Sequence, residues 1–182
     1  SADGGESFGE PYPLVTHTEM NADNIMSASF MRMTNGDIGL FFLAKTEIVN
    51  CLCYLIRSSD EGKTWSKIVN VTEQVKKDEW TCILAGPGNG ICTKKGVIVF
   101  PAQIWQNGAN PRCRSTICYS KDNGKTWKMG TGLPHSSSEC QVVELQDGSL
   151  MLNCRNENYG GKRYAANSGL TGKTFKPADL KV

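Results

Sequence analysis

A chain of 182 residues is the usual size of one domain and short for two, so a single compact unit is expected over residues 1–182. Its 20 Lys and Arg against 18 Asp and Glu leave a formal charge of +2, which supplies no basic stripe to track phosphate and argues against nucleic acid as a partner. The longest apolar run, residues 38–44, is far below the roughly 20 residues a membrane span needs, and no basic-then-apolar leader opens the sequence; the chain reads as soluble, any secretory signal being removed or absent.

In chain order, the first feature is Ser1-Ala-Asp3-Gly-Gly5-Glu-Ser7-Phe8. Apolar, strand-like runs follow at residues 27–33, 38–44 and 51–57, the first two joined by the hairpin signal Asn35-Gly36. The opening pattern then returns as Ser58-Ser-Asp60-Glu-Gly62-Lys-Thr64-Trp65. Residues 71–77 form the one helix-like stretch, a turn or two long. Strand-like runs resume at 97–100 and 115–119, with Lys95-Gly96 marking a turn. Next come a third copy, Ser120-Lys-Asp122-Asn-Gly124-Lys-Thr126-Trp127, and runs at 141–145 and 149–153 hinged on Asp147-Gly148. A degenerate fourth copy, residues 168–175, has Leu170 where the aspartate should stand.

Three full copies of S-x-D-x-G-x-[ST]-[WF], starting at residues 1, 58 and 120, are spaced widely enough for about four short strands each. The motif has a mechanical reading. Asp and Ser side chains bond the backbone amides of a tight turn, Gly supplies a positive φ, and the terminal aromatic packs beneath the hairpin. Four strands per repeat, with the box between the third and fourth, describe a β-propeller blade. The expected fold is therefore all-β: the last strand of one blade, two complete blades and most of another, about three in all. The box staples turns and by itself carries no catalysis.

Eight cysteines sit mostly in strand-like runs, where a thiol behaves as a small buried hydrophobe. No pair has C-x₂-C spacing, and His17 and His135 lie in loop-like segments as surface residues, so no metal and no cofactor is expected. Asn70-Val71-Thr72 matches a glycosylation sequon, a triplet that also arises by chance.

One pair stands apart. Glu139 and Arg155 each lie eight residues from Asp147 at the centre of a hairpin turn, so they should oppose each other at its open end. From geometry alone this is a cross-strand salt bridge worth under about 1 kcal/mol. The same count opposes Cys140 and Cys154, the first choice for a disulfide if one exists.

The segment from Glu139 through Val142-Val143-Glu144-Leu145, Asp147-Gly148 and Leu152-Asn153 to Arg155 resembles the glutamate-to-arginine segment of exo-α-sialidases, the bacterial-type family of glycoside hydrolases. Trp80, the loop Gly86-Pro87-Gly88-Asn89-Gly90, the run Phe100-Pro101-Ala102-Gln103 and the third box resemble that family in its order; the match is close over about residues 58–168 and looser over 9–57. The resemblance implies a six-bladed propeller that holds sialic acid by its carboxylate in an arginine triad, with a tyrosine nucleophile activated by a glutamate and an aspartate as acid/base, retaining configuration. It makes Glu139 the tyrosine's partner and Arg155 the second triad arginine, with Gln103 and Asn89 as candidates for lining the pocket. The family's other arginines, its aspartate and its tyrosine fall outside the matched stretch, and Tyr159, Arg163 and Tyr164 do not fit its motifs. The isolated 182 residues are accordingly expected to hydrolyse little or nothing. Implied partners are sialic-acid-containing glycans, together with missing blades or a second copy to close the ring, and the implied location is secreted or cell-surface. The alternative is a non-catalytic Asp-box propeller that binds glycans or proteins.

Overall fold

The computed structural model describes residues 1, 3–47, 50–106, 113–133, 136–158, 162–168 and 175–177. They form three antiparallel sheets. The first joins β1 (Asn24–Arg32), β2 (Ile38–Glu47), β3 (Asn50–Ser58) and β4 (Val69–Asn70) in that order. After the single turn of α1 (Thr72–Val75), the second sheet runs β5 (Trp80–Ala85), β7 (Ile98–Gln106), β8 (Cys113–Ser120) and β9 (Lys128–Met129), with β6 (Ile91–Cys92) also pairing with β7. The third runs β10 (Ser137–Glu144), β11 (Leu150–Asn156), β12 (Tyr164–Ser168) and β13 (Phe175–Pro177). These are three blades in sequence order. Two details differ from expectation: among the described residues no strand follows the first box before β1, and the third sheet has its fourth strand.

The leading hairpin of each blade uses one turn. Gly36, Gly96 and Gly148 have φ of 90°, 75° and 81°, and their N–H groups donate to Met33, Thr93 and Leu145. This is a type I turn closed by a left-handed residue, which glycine occupies without steric cost.

The middle sheet packs each of its faces against a neighbouring sheet, so its strands alternate between two cores. From β7, Ile98, Phe100, Ala102 and Ile104 meet Phe41, Leu43, Cys53 and Leu55 of the first sheet in one cluster. Val99, between them, joins Ile117, Val142, Leu150 and Leu152 in a second cluster shared with the third sheet. Burial on both faces explains the nearly continuous apolar character of β7. The far face of the first sheet (Leu40, Phe42, Ile56) is covered by Leu14, Val15 and Met20 from the segment before β1, and by Trp65.

The boxes form as the motif requires. In the second and third copies the Ser58 and Ser120 hydroxyls accept from the N–H of Gly62 and Gly124 at 2.8 and 2.7 Å, and the Thr64 and Thr126 hydroxyls donate to Asp60 and Asp122 at 2.6 Å. The first copy makes the same bonds among Ser1, Asp3, Gly5 and Ser7. The terminal aromatics diverge. Trp127 is buried against Phe41 and Phe100, Trp65 is half-buried against Phe30, and Phe8 is exposed because no described strand packs on it. The third box is also locked to α1 and the first blade: the Gln74 side chain of α1 accepts from the backbone N–H of Trp127 at 2.8 Å, and Arg57 of β3 donates to the Gly124 carbonyl. Most of the degenerate copy lies outside the described residues.

Hydrogen bonds to the ionised form hold the box carboxyls below their usual range, first of all from Thr126 and Thr64, with Asp60 near pH 2 against an ordinary 3.8. A depressed folded value means stability that is present above the unfolded value and lost as pH falls through the folded one. Melting temperature should therefore hold from neutral pH to about pH 4 and fall steeply toward about pH 2. Asp122→Asn should flatten that acid limb, as scanning calorimetry across pH would show.

The cysteine expectation needs correction. The disulfide joins Cys51 of β3 to Cys82 of β5 and ties the first blade to the second. Cys140 and Cys154 do oppose each other in register, yet both remain buried thiols, and their mutual hydrogen bond, then burial, push Cys140 up. Cys53, Cys113 and Cys118 are also buried thiols, whereas Cys92 is exposed. Closing a loop of 31 residues, the bridge should contribute about 3–4 kcal/mol on the chain-entropy account. Cys82→Ser should lower the urea midpoint accordingly.

His17 is exposed, as expected, while His135 lies outside the described residues. At the sequon, the Asn70 side chain accepts from the Thr72 N–H, and the buried Thr72 hydroxyl accepts from the Cys53 N–H.

Candidate functional site

The innermost strand of every blade is irregular at the same end. β1 carries a register shift between Met26 and Ser29, with Ser27 at φ 55°. In the second blade the inner strand is split into β5 and β6 by the loop Gly86 to Gly90. β10 is bulged between Ser137 and Cys140. Bulges turn side chains out of the regular alternation and are common beside active sites. Here the three irregularities face a common cleft of about 730 Å³ that takes in Ser27, Pro87, Gln103, Glu139 and Arg155.

Close packing keeps the second-blade loop in place. A Cβ on Gly86 would sit 2.7 Å from the Cys140 carbonyl oxygen, so only glycine lets this backbone approach the third blade. On the other side, Ser29 donates to the Gly88 carbonyl at 2.6 Å and the Gly90 N–H donates to that of Phe30 at 3.0 Å. A serine ladder fixes β10. The Ser115 N–H donates to the Ser137 hydroxyl at 2.9 Å, and the Ser115 hydroxyl donates to the Ser138 carbonyl at 2.6 Å.

Glu139 and Arg155 meet as the hairpin count required, with Arg155 Nη1 donating to Glu139 Oε2 at 3.2 Å. The ladder is bulged at that point, so side-chain reach rather than direct strand pairing closes the contact. Both side chains are about half exposed, at 52% and 49%. A pair in that setting contributes little to stability, so its placement in a cleft is the informative fact. Gln103 is buried on the cleft wall and accepts from the Cys113 thiol at 3.3 Å. Burial, then the charge of Glu157, push the Cys113 thiol up to about 12, so it stays neutral near pH 7.

Asn89 is not brought to this cleft. It lies exposed beside a second groove with Phe30 and Arg32, and its carbonyl accepts from Gln141 at 3.3 Å. Arg163 instead donates to Asn153, the Tyr164 hydroxyl accepts from Asn158, and Tyr159 lies outside the described residues. Sequence reasoning missed Trp105, Cys113, Ser138 and Glu157, which also line the cleft. Glu157 carried a usable signal: two residues beyond Arg155, it falls on the same face of an extended chain. Its Oε1 lies 3.4 Å from Arg155 Nε. Among the described residues no group of three or more His, Cys, Asp or Glu is placed to hold a metal ion. No described helix is long and apolar enough to cross a membrane.

Residues 1–182 match the family described as BNR repeat-like domain. The chain is 46% identical over 121 residues to a sialidase of Bacteroides fragilis (strain YCH46), which covers 66% of this chain and 22% of that protein. It is 41% identical over 139 residues to a sialidase of Clostridium perfringens, covering 70% and 36%. Among solved structures it is similar to Hadza microbial sialidase Hz136, with a TM-score of 0.88 and 25% identity over 98% of this chain and 39% of that one. Trypanosoma rangeli sialidase in complex with the inhibitor DANA follows, with a TM-score of 0.69 and 26% identity over 85% and 28%. The chain thus spans 22% to 39% of the length of these relatives.

Proposed function

The chain belongs to the BNR repeat-like domain family, and on that premise we propose that it is part of an exo-α-sialidase, which hydrolyses terminal sialic acid from glycoconjugates with retention. The observation that carries this reading is the Glu139–Arg155 pair, which shares one cleft with Gln103. Arg155 would bind the substrate carboxylate, because a guanidinium is always charged and its planar fork matches a carboxylate with two parallel hydrogen bonds. Glu139 would draw the proton of a tyrosine nucleophile and stabilise positive charge growing at the anomeric carbon. Gln103 would meet neutral polar groups of the sugar from the cleft wall.

Charge supports the proposal that other parts of the parent complete the site. Glu139, Glu157 and Arg155 together carry a net negative charge, which disfavours an anionic sugar until further cations are supplied. The 182-residue polypeptide alone should therefore release no sialic acid from a fluorogenic sialoside. The completing blades would come from the parent chain or from a second copy, and light scattering on the isolated polypeptide separates these, a stable monomer rejecting the second. The Cys51–Cys82 bridge supports a secreted or cell-surface location, since disulfides persist in oxidising compartments.

The reading is tested by proton NMR of sialyllactose incubated with the whole protein. Retention requires the α-anomer of sialic acid to appear first and then mutarotate. Binding without release would favour a non-catalytic glycan-binding propeller.

A further inference from the structure

Arg155 is held by two carboxylates that are anchored differently. Glu139 reaches Nη1 from β10 and is about half exposed. Glu157 reaches Nε, is only 27% exposed, and is itself fixed twice to the segment that carries Glu139: the Ser138 hydroxyl donates to its Oε1, and its backbone N–H donates to the carbonyl of Ser136, just before β10, at 3.2 Å. A carboxylate that takes part in proton transfer changes its charge and partners during turnover. It is a poor permanent anchor for the arginine beside it.

We propose that Glu157 is the positioning residue for Arg155: by engaging Nε it sets the plane of the guanidinium in the cleft before a substrate carboxylate arrives. The inference rests on the sialidase reading of the same cleft. Arginine has many rotamers, and binding to an unheld side chain must order it first; holding it beforehand removes that cost from the binding step. Glu157 also has an opposing effect, since its charge repels the incoming carboxylate. The Ser138 hydroxyl donates to the same Oε1 and offsets part of that charge, whereas the orienting contact to Nε would be lost whole. Positioning should therefore outweigh repulsion.

The test is made in the whole protein with Glu157→Ala and Glu157→Gln, using steady-state kinetics on a fluorogenic sialoside and a crystal structure of the alanine variant. Glu157→Ala should raise KM about tenfold, the size of one charge-assisted hydrogen bond, and leave kcat within about twofold. Glu157→Gln keeps an acceptor oxygen for Nε and should stay within about threefold of the wild-type KM. In the crystal structure the Arg155 guanidinium should leave its place beside Glu139. Glu157→Asp, one methylene short of Nε, serves in the same way if the alanine variant does not fold. A KM that is unchanged or lower, a fall in kcat as large as the rise in KM, or an unmoved Arg155 overturns the proposal. If the wild-type protein turns over no sialoside, the functional reading fails, while the position of Arg155 still decides the positioning role.

Discussion

Arg155→Ala in the whole protein is expected to lower kcat/KM for a sialoside by about 10²–10³, the loss of a two-pronged charge-assisted contact to the substrate carboxylate. The same change should hardly alter melting temperature. The ion pairs of Arg155 with Glu139 and Glu157 all involve partly exposed groups, and such pairs contribute little to stability. That contrast separates a binding residue from a structural one. Arg155→Lys should recover only part of the loss, because an ammonium retains the charge but not the planar fork. Rates and melting curves measured on the same preparations check both halves of the expectation.

Phe100→Ala is expected to cost about 3–5 kcal/mol of folding stability, a large share of the 5–15 kcal/mol typical of a domain. Phe100 is fully buried, stacked on Phe41 at 5.2 Å between ring centroids and tilted against Trp127 at 5.7 Å. Phe41 belongs to the first blade and Phe100 to the second, so the two rings form the interface between sheets. Because they touch, the double variant Phe41→Ala/Phe100→Ala should cost less than the sum of the single ones. Strict additivity in urea denaturation would mean that the blades do not share this core.

The blades were legible in the sequence because their devices are local. A box needs Ser, Asp, Gly and Ser or Thr within seven residues, and a hairpin of this kind needs one glycine after a short turn, so each is visible wherever it occurs. The Glu139–Arg155 contact was legible for the same reason: counting outward from Asp147 fixes the register, and long side chains tolerated the bulge that interrupts the ladder. What joins one blade to another was not legible. Cys51 and Cys82 lie on strands of different sheets, and nothing in either strand marks the other as its partner, so a correct count within one hairpin pointed instead to Cys140 and Cys154. Asn89 and Gln103 looked alike as polar residues near glycine-rich or apolar segments. The split of the inner strand carries Asn89 to another groove and leaves Gln103 on the cleft wall, a difference that exists only once the blades are assembled. Glu157 was overlooked because it follows the matched motif by two residues, where a single sequence offers only its shared face with Arg155.

The assignment of this cleft to sialoside hydrolysis is tested most directly by turnover of a fluorogenic α-sialoside by the whole protein, wild type against Glu139→Gln. Glutamine preserves shape but cannot take a proton, so kcat should fall by about 10²–10⁴ while melting temperature stays unchanged. A Glu139→Gln protein as fast as wild type, or a wild-type protein that binds sialyllactose and never cleaves it, would contradict the account.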